Sequence, residues 1–412
     1  MNSMILLGIG RMEIDWGKNR IIKDHSVLFQ QEDVKLIPYY YIGDDDKLVI
    51  IEKIGYSKKL KYVKKRLDLL GYTLKEINEL YDKIKYDYSC CGIQIPLSFE
   101  SFSNVIKTIN INRVNTPMLA IEFEDDGYDF GEFTRRCIIP ENEIYDKLLE
   151  SVNGDKNKLN WNLEYFFENL DPYIILRLLA ENDSCTELDV FWSYADVVDN
   201  GWINKEDAVL SLPIEKKILI VTEGSSDSFI IQKTLNELYP EISDFFYFID
   251  MHQNYPFTGI GNLYNFCCGL MKIDIQNKII VIFDNDTAGN EKYNKLHQFP
   301  QMRNILITKL PYVCDLEKIE TIGPQGKSIE NINGRAVAIE CFLDFELHRD
   351  SPMVRWTNYV ENQKDYQGSL IYKDEYVRNF KKANLKNNTY NTKKLKLLID
   401  YLLEEWCNYY HD

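Results

Sequence analysis

The sequence predicts an α/β protein built around a parallel sheet with helices on both faces, preceded by an α+β domain and followed by a mainly helical region. Three observations point there. Between residues 214 and 310 the segments KKILIVTEG, DFFYFID, KIIVIFDND and NILITKL are apolar without alternation. Stretches of helical length beginning at Asp227, Gly259 and Thr287 separate them. Acids (Glu223, Asp250, Asp284 and Asp286) stand at the carboxyl ends of the runs. Strands buried on both faces read as unbroken apolar runs, and parallel strands need crossover helices. Ligands of such sheets gather at the carboxyl ends of the strands.

At 412 residues the chain exceeds one ordinary domain. The expected division is an N-terminal domain over 1–205, the parallel-sheet domain over 214–325 and an extension over 326–412, with the first break near Asn204–Pro213. In residues 1–50, MILLGIG, SVLFQ and LIPYYYI read as strands, Trp16–Lys18 as a turn and GDDD as a loop. Leu60, Val63, Leu67 and Leu70 recur at helical spacing until Gly71. Thr73 followed by Glu76 is a capping box that starts a second helix. Further helices are expected over 142–152 and around 162–181.

Composition removes several function classes. An apolar content of 45% with 13% aromatics marks a globular chain. No apolar run approaches the ~18 residues that span a bilayer. MNSMILLGIG lacks a basic start and reads as an opening strand, not a signal peptide. The nine cysteines have no CxxC spacing, and the pairs Cys90–Cys91 and Cys267–Cys268 are adjacent, which suits reduced thiols in a cytoplasmic protein. The five histidines form neither HxxxH nor HExxH, which argues against a zinc hydrolase. Arg20 and His25 fit an R-x4-H ribonuclease pattern, but between predicted strands the match is read as chance.

The net charge of −16 is awkward for a nucleic-acid enzyme, because phosphate contacts need Lys and Arg. The charge is uneven. Residues 52–68 hold seven basic against two acidic residues. Residues 351–396 hold ten (Arg355, Lys364, Lys373, Arg378, Lys381, Lys382, Lys386, Lys393, Lys394 and Lys396) against four. The first run reads as a solvated helix face. The second, beside a cluster of carboxylates, becomes a phosphate track.

One strand ends in Glu223-Gly224, with Asp227 three residues on; another ends in Asp284-Asn285-Asp286. Two aspartates separated by one residue can approach the same ion as the chain leaves the strand. Gly224 and Gly289 are expected to permit close backbone approach at the strand-to-helix turns. Hard oxygen donors without His or Cys favour Mg2+ or Mn2+ over zinc. Such ions bind a phosphodiester, activate water and stabilise the departing oxygen.

VTEGSSD and IFDNDTAG resemble the two signature segments of the Toprim fold, shared by topoisomerases, bacterial primases, recombination mediators and OLD-family nucleases. The resemblance covers roughly residues 214–310. It implies that Glu223 is a metal ligand or general base, that Asp284 and Asp286 hold metal, and that Asp227 follows the nuclease branch. Downstream, IECFL resembles the IE-x-x-L helix of OLD-like nucleases, which makes Glu340 a further acid. GSLIYKDEYVRNF resembles the stretch that supplies a basic residue near the cleaved phosphate, and so points to Lys373. The opening GIGRMEIDWGKN and the RLDLLGYTL helix resemble the N-terminal domain fused to HEPN or Toprim effectors in prokaryotic conflict systems. That resemblance implies a role in anti-phage defence.

The expected function is therefore a Mg2+- or Mn2+-dependent endonuclease acting on DNA or RNA, tRNA included. The alternative is a regulatory or recombination-mediator module that binds nucleic acid without cutting it. A primase would bring a zinc segment, which the cysteine spacing denies, and no gate-like topoisomerase domain is visible. GPQGKS is too short between its glycines for a Walker A loop. An ATPase or sensor partner would therefore be a separate chain. The resemblance further implies a homodimer; no membrane partner is expected.

Overall fold

The computed structural model describes residues 4–10, 12–18, 23–42, 48–92, 97–111, 143–204, 206, 212–249, 259–273, 275–348, 350–387 and 389–409. The chain divides into two compact units, Met1–Pro213 and Ile214–Asp412. The expected GDDD loop, Arg20 and Asp250 lie outside the described residues.

The first unit is α+β. Strands β1 (Met4–Ile9), β2 (Met12–Lys18), β3 (Val34–Ile42), β4 (Leu48–Lys59) and β5 (Asp189–Ser193) form an antiparallel sheet in the order β2-β1-β5-β4-β3. Two expectations are corrected here. Trp16–Lys18 is not a turn but the end of β2; the chain reverses earlier, where Gly10 at φ +57° takes a conformation that favours glycine. SVLFQ is not a strand but holds a 3-10 turn, Ser26–Leu28. Consecutive Leu28 and Phe29 are both buried, which a strand with one buried face does not allow. Helices α1 (Leu60–Leu70) and α2 (Leu74–Cys90) follow as the spacing predicts. Gly71 ends α1 at φ +100°, and the Thr73 hydroxyl accepts the Glu76 N–H at 3.4 Å. Next come α3 (Phe99–Thr108) and α4 (Glu143–Ser151). The helix expected around 162–181 is two, α5 (Lys156–Asn169) and α6 (Pro172–Leu179). Asp171 caps the second through the Tyr173 N–H, and Pro172 stands at its start, where proline loses no hydrogen bond. A short α7 (Ala195–Asp199) follows β5.

His25 is buried, with Nε2 3.0 Å from Asp15 Oδ2 and Nδ1 3.1 Å from the Tyr173 hydroxyl. It is a packing residue of this domain. The basic run of 52–68 is not a free surface. Lys53 pairs with Asp196 and Asp199, Lys58 with Asp33, Lys59 with Asp189, Lys61 with Glu187, and Lys64 with Asp68 and Glu181. Arg66, fully buried, donates to the carbonyls of Val27 and Phe29.

The second unit carries the parallel sheet. Strands β6 (Ile218–Val221), β7 (Phe246–Phe248), β8 (Lys278–Phe283) and β10 (Ile305–Lys309) run parallel in the order β10-β8-β6-β7. Helices α8 (Ser225–Leu238), α9 (Ile260–Lys272) and α10 (Thr287–Leu296) make the crossovers. Leu219, Val221, Ile279, Val281 and Phe283 form one core with Leu263, Cys267 and Leu270 of α9 and Leu296 of α10. Against the other face, α8 packs with the C-terminal helix α12 (Lys393–Tyr409), which also touches β10.

The extension beyond 326 does end in helices, α11 (Lys373–Lys382) and α12. Before them lies a second sheet that the sequence reading did not anticipate. Strands β11 (Ile319–Gly323), β12 (Gly326–Glu330), β14 (Met353–Val360) and β15 (Asp365–Leu370) pair in the order β12-β11-β14-β15. A two-residue ladder, β9 (Asn285–Asp286) with β13 (Ala336–Val337), ties this region to the main sheet. Arg335 locks the second sheet. It donates to Glu330 at 2.8 Å and Asp365 at 2.9 Å, and its guanidinium lies 4.2 Å from the Trp356 ring centroid. Donation from Ser328, then Arg335 and Thr321, pulls the Glu330 carboxyl down to about 2. Among the described residues no helix is long and apolar enough to cross a membrane.

Arg335→Met removes two charge-assisted hydrogen bonds and the ring contact while keeping an apolar stem. It is expected to cost about 1–3 kcal/mol, read as a lower urea midpoint for the full chain. An unchanged midpoint would show that this junction does not hold the sheet.

Candidate functional site

The site begins with strand pairing. β6 and β8 are neighbours in register, Val221 beside Val281, so the chain leaves both strands at the same edge of the sheet. Glu223 and Asp284 follow immediately, and the Asp284 N–H donates to Glu223 Oε1 at 3.2 Å. Residues 61 apart in sequence are thus joined by one hydrogen bond.

Two of the remaining acids also cap helices. Asp227, in the first turn of α8, accepts the Gly224 N–H at 3.0 Å and the Ser226 hydroxyl at 3.0 Å. Asp286 precedes α10 and accepts the Gly289 N–H at 2.7 Å; its second oxygen accepts the Gln367 side-chain amide. Gln367 also accepts the Ala288 N–H at 2.9 Å, so β15 is clamped across the start of α10. Glu340 lies on a 3-10 turn, Ile339–Phe342, rather than on the helix expected for IECFL. The turn is buried on all four residues, and it tucks Glu340 inward at 8% exposure. Lys373 is the first residue of α11, exposed, just after Tyr372 in the left-handed region at φ +63°.

Electrostatics show which of these groups sense one another. Burial pushes the Glu223 carboxyl from 4.5 up to about 7, with repulsion from Asp286 and Asp227 adding to it. Asp227 is pushed up to about 6 by burial and then by Glu340, while Ser226, Gly224 and Lys373 pull it down. Asp284 rises well above the ordinary range, through burial first and then through Glu223, Asp227, Asp286 and Glu340. Asp286 rises through burial against the opposing Gly289 and Gln367 hydrogen bonds. Asp284 thus feels the charge of the four other acids, and Lys373 offsets the charge at Asp227.

The carboxylates of Asp284 and Glu340 receive no hydrogen bond from any described residue. Both oxygens of Asp227 and Asp286 and one of Glu223 accept from protein donors, and no three acidic, Cys or His groups among the described residues are arranged to hold one ion. The donor chemistry fits a hard divalent cation all the same. The set is all oxygen, its charges repel, and two of its members have no protein donor to offset burial.

Two sequence expectations about glycine separate here. An added Cβ at Gly289 would stand 2.1 Å from the Asp284 carbonyl oxygen, so the close approach is real. At Gly224 it would meet only ordinary contacts of 3.6 Å and beyond, on an extended backbone. Gly224 is therefore not required by sterics. Gln367 went unseen in the sequence because a glutamine in a half-exposed strand carries no motif.

A family described as HEPN/Toprim N-terminal domain 1 matches residues 1–216. No curated protein and no solved structure gives a significant match to the chain.

Gly289→Ala should disturb the Asp284–Asp286 turn and lower stability by about 1–3 kcal/mol, whereas Gly224→Ala should leave the thermal midpoint near that of the parent. Equal effects at the two positions would contradict the geometry. The raised carboxyls also fix a pH dependence. Folding takes up protons at Glu223 and Asp227, so their contribution to stability is full below about pH 4 and lost as pH rises through about 6–7. Metal-free protein should lose thermal stability across that window, and Mn2+ should restore it near pH ~8 but not near pH ~5. Melting curves in chelator and in Mn2+ at both pH values check this.

Proposed function

The chain belongs to the HEPN/Toprim N-terminal domain 1 family, and from that premise we propose that its second unit is a Mg2+- or Mn2+-dependent endonuclease resembling the OLD-family nucleases. It would cleave phosphodiester bonds of DNA or RNA, as an effector of prokaryotic anti-phage defence. The observation that supports this reading most is the convergence of Glu223, Asp227, Asp284, Asp286 and Glu340 around one centre at the carboxyl edge of a parallel sheet.

In this reading Asp284, Asp286, Asp227 and Glu340 hold divalent metal, and Glu223 is a metal ligand or the general base. A carboxyl near 7 is suited to taking a proton from water at neutral pH. The bound ions supply Lewis-acid stabilisation of the attacked and departing oxygens. Gln367 fixes the rotation of the Asp286 carboxylate, and the missing side chain of Gly289 lets the start of α10 close against the Asp284 carbonyl. Lys373 presents a positive charge to a phosphate oxygen beside Asp227. Lys382, Lys386 and Lys396, exposed and without a described acidic partner, would add positive charge for the phosphate backbone. This contrasts with the ion-paired run in the first unit. Nucleic acid is the partner, with a separate ATPase or sensor subunit as trigger, a homodimer as the assembly and the cytoplasm as the setting.

The non-cleaving, nucleic-acid-binding reading draws on a specific observation too: the acids as they stand do not form a three-ligand cluster. One experiment separates the two. Purified protein is incubated with plasmid, single-stranded DNA and tRNA, with and without Mn2+. The expected outcome is metal-dependent cleavage that Glu223→Gln or Asp284→Ala removes, by more than the roughly 10–100-fold typical of outer-sphere losses, with circular dichroism unchanged. Lys373→Ala should slow cleavage while leaving Mn2+ binding intact. Retention of nucleic acid without cleavage by the parent protein would favour the binding module, and cleavage by both acid variants at the parent rate would sink the site.

A further inference from the structure

The hairpin of β14 and β15 carries two features that the metal site does not use. Tyr359 and Tyr366 are direct cross-strand partners, 5.1 Å between ring centroids at 69°, and both rings are open to solvent at 52% and 37%. The register irregularity between Trp356 and Tyr359 sets Tyr359 opposite Tyr366. Buried aromatic pairs serve a core; this pair faces water, and its Tyr366 lies on β15, the strand that carries Gln367. The Tyr366 carbonyl accepts the Thr287 hydroxyl at 2.8 Å, and the next residue, Gln367, donates to Asp286. Side chains alternate along a strand, so the Tyr366 ring leaves β15 on the face opposite the Gln367 amide that touches Asp286, one residue along the chain. Between the tyrosines, Lys364 turns the hairpin at φ +53° and has no ion-pair partner among the described residues.

We propose that Tyr359 and Tyr366 form a stacking platform for unpaired bases, which makes single-stranded nucleic acid the substrate class of the adjacent centre. This rests on the nuclease reading for the identity of the centre. The physical argument is that an exposed aromatic face gains from base stacking, on the order of 1–3 kcal/mol per base. A paired base is already stacked on both sides and offers no free face to either ring. Lys364 supplies the backbone charge that such a platform needs beside it, and a strand held there crosses the edge of β15, where Thr287 meets the Tyr366 carbonyl, to reach the carboxylates. A purely structural role is the competing explanation, since a cross-strand aromatic pair also steadies a hairpin.

The test is fluorescence anisotropy with the full chain in chelator, so that cleavage plays no part. The probes are a labelled deoxythymidine oligonucleotide, an RNA oligonucleotide of mixed sequence and a duplex of equal length. The parent protein should bind both single strands at least about tenfold more tightly than the duplex. Tyr359→Leu with Tyr366→Leu keeps an apolar cross-strand contact but removes the ring faces, and should cost about tenfold or more in single-strand affinity. The Tyr359→Phe, Tyr366→Phe pair should bind as the parent does. Equal affinity for strand and duplex overturns the proposal, as does a Leu pair that binds like the parent or a parent that binds none of the probes. If the tyrosine dependence appears but Mn2+ elicits no cutting, the platform stands and the nuclease reading falls. If Glu223→Gln abolishes cutting while the Leu pair binds normally, the reverse holds.

Discussion

Repulsion between carboxylates that cannot avoid one another is the constraint on which the second unit is built. β6 and β8 are adjacent and parallel, so whatever follows Val221 and Phe283 leaves the sheet at one edge. Placing an acid after each strand forces proximity that no side-chain rotation can undo. The fold offsets that burden at two of the acids. Backbone N–H groups at helix starts take one oxygen each from Asp227 and Asp286, where the helix dipole also favours negative charge. Asp284 and Glu340 are left without a hydrogen-bond donor among the described residues, and burial beside the other acids holds the Asp284 carboxyl well above its ordinary range.

The rest of the unit reads as scaffolding for that edge. The short β9–β13 ladder fixes Asp286 against Ala336. The Arg335 junction, with Glu330, Asp365 and Trp356, holds the second sheet so that β15 presents Gln367 to Asp286. Gly368 permits the same closeness, since an added Cβ there would lie 2.6 Å from the Ala336 side chain. These contacts come from the segment after 326, so the centre needs that segment as much as it needs the parallel sheet.

What was legible in the sequence follows from the same physics. Strands buried on both faces are continuous apolar runs, and KIIVIF and ILIV could be read directly. The second sheet was hidden because its strands are mostly exposed: GKSIE has no buried residue, and MVRWTNYV has one. Without an apolar face or unbroken run, periodicity has nothing to detect. SVLFQ misled in the opposite direction, because β-branched and aromatic composition suggested a strand where two adjacent side chains are both buried. The split between α5 and α6 was visible in Asp171-Pro172, a cap followed by a first-turn proline. The basic run of 52–68 could not be judged from its own charges, since its partners lie elsewhere in the chain, several of them between residues 181 and 199.

The site residues pose a subtler problem of reading. An aspartate just after a strand and three residues before a helical N–H is a good helix cap whether or not it ever meets a metal. Asp286 satisfies that description in full, Asp227 closes the start of α8 from within its first turn by accepting the Gly224 N–H, and capping alone would account for both. Asp284 caps nothing, and Glu340 sits on a turn whose own backbone does not need it. A protein selecting only for stability would have no reason to keep two such charges within electrostatic reach of Glu223 and Asp227. Asp284 and Glu340, for which the fold offers no other use, therefore mark this edge more sharply than the acids that double as helix caps.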